Sequence, residues 1–337
     1  MRAKRGSKRR VKVALIGAGA MANGVHYPSL VEFRDVSLVG LCDLIPEKLE
    51  RTAAHFGIKR TFGDYREMLD KTKPDAVYAL MPPHHVYDVA MNVLQRGHDL
   101  FVEKPPALTA FQTDCLARAA ADAKAITGVG FQRRYHPLFV KCNKVVHKHG
   151  APHQVVASFY KFIKPGKVHG YYRGAIDILT SDAIHAADAM RYYAGGEVVS
   201  VASSVRKLGA WYDTSFNALV TFSNGATGVL LTNWRTGGRR LTLELHSIGC
   251  SAFANADGVG EVWANNGKDP VLRQTHTEAA GSEERHVHQG FRAQARAFIT
   301  AVKTRRQLHN NMADAVKSMR LVEQIYQNAM EGGRSGA

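Results

Sequence analysis

What this sequence has little of limits it first. Only four of its 337 residues are cysteine, and Cys42, Cys115, Cys142 and Cys250 are widely spaced with no C-x-x-C pair. Neither a disulfide framework nor a zinc site is indicated, so reduced thiols in a cytoplasmic protein are expected. No run is long or apolar enough to span a membrane. Acid is also scarce: 29 Asp and Glu stand against 45 Lys and Arg, a formal net charge of +16. An excess of that size brings a polyanionic partner into consideration. Much of it is local, because Arg2, Lys4, Arg5, Lys8, Arg9 and Arg10 fall within residues 1–10, which read as a solvated basic arm. Nucleic-acid binding is therefore not expected. Lys8-Arg9-Arg10 before an apolar run superficially resembles a twin-arginine export signal, but cleavage after that run would destroy the glycine turn inside it. No internal repeat is present.

What is there begins at Val11. The run VKVALI leads into Gly17-Ala18-Gly19-Ala20-Met21-Ala22, a strand turning directly into a helix. In that setting Gly17 permits the tight turn, Gly19 lets the backbone approach a pyrophosphate, and Ala22 lets helix and strand pack closely. The unpaired amides at the helix start would receive the phosphates. Val36 to Asp43 reads as the second strand, and Asp43 ends it 24 positions after Gly19, near the usual place for the acid that holds an adenosine ribose. Leu44 and Ile45 follow it, with no arginine to meet a 2′-phosphate, so NAD is preferred over NADP.

Strands and helices then alternate. Asp75 to Met81 is a buried strand halted by Pro82-Pro83, a helix is expected over Val86 to Arg96, and His98 to Val102 is a further strand ending in Glu103-Lys104-Pro105-Pro106. This order implies a doubly wound parallel sheet, whose ligands bind outside the carboxyl ends of the strands. The cofactor side is accordingly expected to take Gly17, Gly19, Ala20, Met21, Ala22, Asp43, Pro82, Pro83, Glu103, Lys104 and Gln132. After Arg133-Arg134-Tyr135-His136-Pro137 the pattern changes to alternating strands, among them His153 to Phe162 and a hairpin from Phe216 to Trp234 turning at Asn224-Gly225. Two helices with apolar stripes close the chain, the second capped by Asn311. The domains are thus expected at 11–130 and 131–337, behind the arm at 1–10.

Two chemical candidates stand out. Lys104 sits where a parallel sheet delivers the nicotinamide end of a cofactor, although a lysine between Glu103 and Pro105 also suits a surface loop. Asp182, His185 and Asp188 recur every three residues in the expected helix from Ile178 to Gly195, which puts them on one side of it. His185 could then serve as a general base tuned by the carboxylates that flank it. A metal held by these three lacks an evident fourth ligand, and none is expected.

The GAGAMA turn, the proline pair, EKP, GFQRRYHP and the H-x-x-D helix ending in RYYAG together resemble the glucose-fructose oxidoreductase / inositol 2-dehydrogenase / MocA family over nearly the whole chain. The resemblance implies an α/β protein: an N-terminal Rossmann domain with a doubly wound parallel sheet, then an α/β domain whose open, mostly antiparallel sheet mediates homodimer or homotetramer contacts. It implies NAD(P)-linked oxidation or reduction of a secondary alcohol on a sugar, cyclitol or related polyol. Lys104 matches the lysine that hydrogen-bonds the reacting oxygen, and His185 the histidine that exchanges its proton. Arg134 falls where an arginine lines the pocket in relatives; Tyr160, Arg173 and Arg235 are substrate candidates by approximate alignment. Two departures matter. Ser181 stands where many members have aspartate, with the acid displaced to Asp182, which is expected to contact substrate instead. Val86 stands where a histidine is common, so His84 and His85 are not ranked as catalytic. Two other functions remain open: an NAD-dependent glycosidase acting by transient oxidation and elimination, and a non-catalytic sugar or cofactor sensor.

Overall fold

The computed structural model describes residues 9–164 and 176–330, and within it the chain divides into two compact units. Most of the basic arm, Arg173 and the small-residue tail from Gly332 lie outside the described residues.

The first unit is built on β1 (Val11–Ile16), whose apolar, β-branched residues are buried because a parallel strand in mid-sheet is covered on both faces. A helical run follows, opening with a π turn (Ala22–His26) that continues as α1 (Tyr27–Val31). The wider turn leaves two successive side chains, His26 and Tyr27, both buried. Then come β2 (Val36–Cys42), α2 (Pro46–Phe56), β3 (Thr61–Phe62), α3 (Tyr65–Thr72), β4 (Ala76–Ala79), α4 (Pro83–Gln95), β5 (Asp99–Val102), α5 (Ala110–Asp122) and β6 (Thr127–Val129). Helix α4 starts at Pro83 rather than Val86, since proline suits the first helical position, where its missing N–H is not needed. The parallel sheet runs β3-β2-β1-β4-β5-β6. Its strand order reverses direction between β1 and β4, which puts the ligand-binding crevice of an open α/β sheet at their carboxyl ends.

The second unit contains α6 (Pro137–Val146), β7 (Gln154–Phe162), a second π turn (Leu179–Ala183) and α7 (Ile184–Ala194). Strands β8 (Val198–Arg206), β9 (Ser215–Phe222), β10 (Thr227–Asn233), β11 (Arg235–Ser247), β12 (Cys250–Asn255), β13 (Val259–Ala264) and β14 (Leu272–Thr275) complete an eight-stranded sheet in the order β14-β13-β12-β11-β7-β10-β9-β8. All its pairings are antiparallel except that of β7 with β10. Val155, Ala157 and Phe159 alternate inward on β7, and α7 packs against that face. The short helices α8 (His276–Ala280) and α9 (Arg285–His288) precede α10 (Phe291–Thr304) and α11 (Met312–Gln327).

The units are not two consecutive lengths of chain. Residues 291–312 return to the first unit, and 107–113 belong to the second. Phe291, Ala295, Phe298 and Val302, the apolar stripe of α10, are all buried. Asn311 turns its side-chain amide back onto the Leu308 carbonyl at 2.7 Å.

Candidate active site

In the first unit the glycine turn has the shape its residues demand. Gly17 has φ of +102°, and a Cβ there would drive into the Leu80 carbonyl, so only glycine fits. At Gly19 a Cβ would meet nothing within 4 Å, leaving open space beside the turn where a pyrophosphate would approach the backbone. Ala20 and Met21 are exposed and Ala22 is buried against the strand, as the motif requires. The Tyr27 hydroxyl donates to the Gly17 carbonyl, and the Asn23 amide spans the carbonyls of Ala18 and Gly19 at 2.9 and 3.0 Å.

Asp43 closes the end of β2. Its Oδ2 accepts from the Ala18 amide at 2.6 Å and its Oδ1 from the Ile45 amide at 2.9 Å. Each carboxylate oxygen has a second lone pair left for a ribose hydroxyl. Leu44, 87% exposed, stands next to it. These residues fit a dinucleotide: a turn open at Gly19, exposed amides at a helix start and an anchored acid for the ribose.

At the end of β5, Glu103 is locked from two sides. His26 Nε2 lies 2.6 Å from its Oε1, and the Lys104 amide donates to its Oε2 at 3.1 Å. Gly130 makes room, since a Cβ there would crowd the Glu103 carboxyl and the Lys104 nitrogen at 3.0 Å. The His26 ring is 1% exposed and meets Tyr78, Phe101 and Phe291 edge-on. Lys104 thus leaves the sheet on a pinned main chain. Pro82 and Pro83 end β4 and start α4, and Gln132 is buried in a 3₁₀ turn, Gln132–Tyr135, of the second unit.

In the second unit His185 stands in the first turn of α7, 7% exposed, just after the π turn that carries Asp182. Asp182 is ion-paired with Lys161. Asp188, also expected beside His185, is engaged elsewhere. Its carboxylate takes a two-point bond from Arg134, Nε to Oδ2 at 2.9 Å and Nη2 to Oδ1 at 2.5 Å, and a bond from the Ser318 hydroxyl at 2.6 Å. Arg134 also pairs with Asp314 at 2.7 Å, as does Arg191 at 2.6 Å. With its side chain 1% exposed, Arg134 forms a buried ion pair with Asp188. Burial alone would lower its pKa, but Asp188 and Asp314 outweigh that and raise it.

Tyr160 lies on the opposite face of β7 from Phe159. Strand alternation puts it with Val156 and Ser158 on the face away from α7, where it lines a hollow of about 560 Å³ with Arg240, Thr242 and Glu244. Lys161, its neighbour, takes the α7 face, where it pairs with Asp182. The Arg235 guanidinium bonds the Ile163 carbonyl at 2.7 Å, tying down the chain after β7.

Sequence reasoning missed His26 and Lys161. A polar residue nine positions after Gly17, where the helix turns inward, and a lysine two positions beyond inward-facing Phe159 were the available signals. Among the described residues no group of three His, Cys, Asp or Glu could hold a metal ion, and no helix is long and apolar enough to cross a membrane.

Comparison with known proteins agrees with this architecture. Residues 11–131 match the profile of an oxidoreductase family with an NAD-binding Rossmann fold, and residues 147–248 match the GFO/IDH/MocA C-terminal domain. The chain is 30% identical over 125 residues to D-glucoside 3-dehydrogenase of Escherichia coli, spanning 37% of this chain and 36% of that protein. It is 26% identical over 234 residues to the NAD⁺-dependent scyllo-inositol 2-dehydrogenase of Bacillus subtilis, covering 65% of this chain and 66% of that one. The crystal structure of a dehydrogenase from Chromobacterium violaceum superposes with a TM-score of 0.83 at 22% identity, over 95% of this chain and 96% of the other, which establishes the shared fold. With both domain profiles matched in order on the two sheets they describe, the chain belongs to the GFO/IDH/MocA oxidoreductase family.

Proposed function

We propose that the protein is an NAD-dependent dehydrogenase acting on a secondary alcohol of a sugar, cyclitol or related polyol. The observation that carries the reading is the placement of Lys104, directly after β5 at the carboxyl end of the sheet that bears the glycine turn, with its main chain pinned through Glu103. The nicotinamide supplies the hydride acceptor or donor when bound. Lys104 would hydrogen-bond the reacting oxygen and stabilise alkoxide charge as it develops; His185 would take or return the hydroxyl proton. Asp43 favours NAD, because a carboxylate between the Ala18 and Ile45 amides repels a 2′-phosphate. The names of the glucoside and inositol dehydrogenases similar to this chain support a carbohydrate alcohol.

A homodimer or homotetramer belongs to the same proposal. Leu219, Leu231 and Phe253 are 52%, 36% and 45% exposed on strands β9, β10 and β12, an apolar surface suited to a second copy. The four free thiols suit a reducing, cytoplasmic compartment.

The test is a rate screen with NAD and NADP across free sugars, inositols, glycosides and nucleotide sugars. Turnover of a carbohydrate alcohol is expected, and Lys104→Ala and His185→Ala are each expected to lower kcat about 100-fold or more. Unchanged turnover in both variants would remove the assigned roles.

A further inference from the structure

The inner face of the second unit carries a charge imbalance one helical turn from His185. Two ion pairs stand at the end of β7 and its neighbours: Lys161 with Asp182, and Arg239 with Asp257. Both cations lie over the Phe159 ring, Lys161 Nζ at 4.8 Å and the Arg239 guanidinium carbon at 5.5 Å from its centre. Arg240 pairs with Tyr160 across the β7–β11 ladder, so the preceding Arg239 shares the inward face with Lys161.

Behind them is a third cation. Arg133 is 4% exposed, its Nη1 donates to Gln289 Oε1 at 2.5 Å, and its Nε has no hydrogen-bond partner. Among the described residues no carboxylate lies within ion-pair distance of it. Gln289 Nε2 donates to Asp257 at 3.0 Å, besides meeting the Ala256 carbonyl and His288, but that carboxylate already holds Arg239. Burial, and next Arg239, bring the Arg133 pKa down to about 10, against the opposing fields of Asp257 and Asp182. Among the described residues, Lys161, Arg239 and Arg133 thus stand beside the two carboxylates of Asp182 and Asp257. An uncompensated buried charge is costly, and such a violation is expected where a ligand completes the balance.

We propose that the substrate is a carbohydrate or cyclitol bearing an anionic substituent, a carboxylate or a phosphate, which Lys161 and Arg239 receive. This rests on the dehydrogenase reading for its location beside His185. Lys161 and Arg239 have side chains 23% and 44% exposed, so both reach solvent, while Arg133 adds field from behind without touching the ligand. Asp182 and Asp257 keep the cations from repelling one another and exclude anions too weakly bound to displace them.

Titration calorimetry on the full chain with NADH bound tests this, using matched sets: a neutral hexose, its uronate and its 6-phosphate in gluco, galacto and manno configuration, and an inositol with its monophosphate. In at least one set an anionic member should bind about tenfold or more tightly than the neutral one, with the preference shrinking as salt rises. The uronate and phosphate arms separate the two anions. Replacing Lys161→Gln together with Arg239→Gln should abolish the preference while NADH affinity, which reports on the other unit, is retained. Equal or better binding of the neutral member in every set, no binding by any anionic member, or a preference unchanged in the double variant would overturn the proposal. Turnover of neutral sugars without anionic preference sinks this inference and leaves the dehydrogenase reading intact; anionic binding without redox turnover does the reverse.

Discussion

His26 and Glu103 are joined across the first unit, Nε2 to Oε1 at 2.6 Å, although 77 residues separate them. The bond links the helix that follows the glycine turn to the segment that presents Lys104. Because the imidazole is buried among aromatic edges, it holds the Glu103 carboxyl in one place, and Glu103 in turn holds the Lys104 amide. Replacing His26→Ala leaves that carboxyl with one protein partner fewer and should cost roughly 1–3 kcal/mol of stability. His26→Gln, which retains a donor, should recover much of the loss. Thermal unfolding of both variants checks the cost, and kcat measured on the best substrate should fall in His26→Ala more than KM rises.

The two glycines of the turn should fail differently. Gly17→Ala forces a Cβ into the Leu80 carbonyl at a left-handed φ, so the variant should express poorly or melt well below the parent. Gly19→Ala meets nothing in the free protein and should fold normally. Its methyl would occupy the space a pyrophosphate needs, and NADH affinity should drop about tenfold or more. Melting temperature and NADH fluorescence titration separate the two outcomes.

Cofactor preference should turn on Asp43. Asp43→Ser with Leu44→Arg removes the carboxylate proposed to hold the ribose and adds a guanidinium at an exposed position. NADPH affinity should rise relative to NADH by about tenfold or more. Loss of NADH binding without gain for NADPH would show that Asp43 serves mainly to brace the Ala18 and Ile45 amides.

The Arg134 network should behave as structure. Arg134→Ala leaves buried Asp188 with the Ser318 hydroxyl and with Arg191 only at 3.9 Å, and is expected to cost roughly 3–5 kcal/mol in urea unfolding. Burial would raise the Asp314 pKa, yet Arg134 and Arg191 hold it below the ordinary 3.8. A depressed folded-state value means its stabilisation is present above the unfolded value and disappears as pH falls through the lower folded one. Urea midpoints at about pH 5, 4 and 3 should therefore drop less steeply in Asp314→Asn than in the parent.

Much of the fold is legible in the order of amino acids alone. The glycine turn, Asp43 at the end of β2 and the order of strands and helices in the first unit all follow from local rules: period, punctuation and φ freedom. The hairpin at Asn224-Gly225 is legible for the same reason. The strands β12 to β14 are not, because their polar and small residues carry weak periodicity and owe their state to neighbours in the sheet.

By itself the sequence determined which residues could turn, which could be buried and where a dinucleotide would find amides and an acid. Only the tertiary structure decided what the charged residues do. Arg134 is taken by Asp188, 54 residues away, and by Asp314 beyond it. Lys161, and not Tyr160, occupies the α7 face because strand register assigns faces absolutely, whereas alignment by motif tolerates a slip of one. Charge partners are chosen by proximity in space, and no local pattern encodes a distance between residues that meet only when the chain has folded.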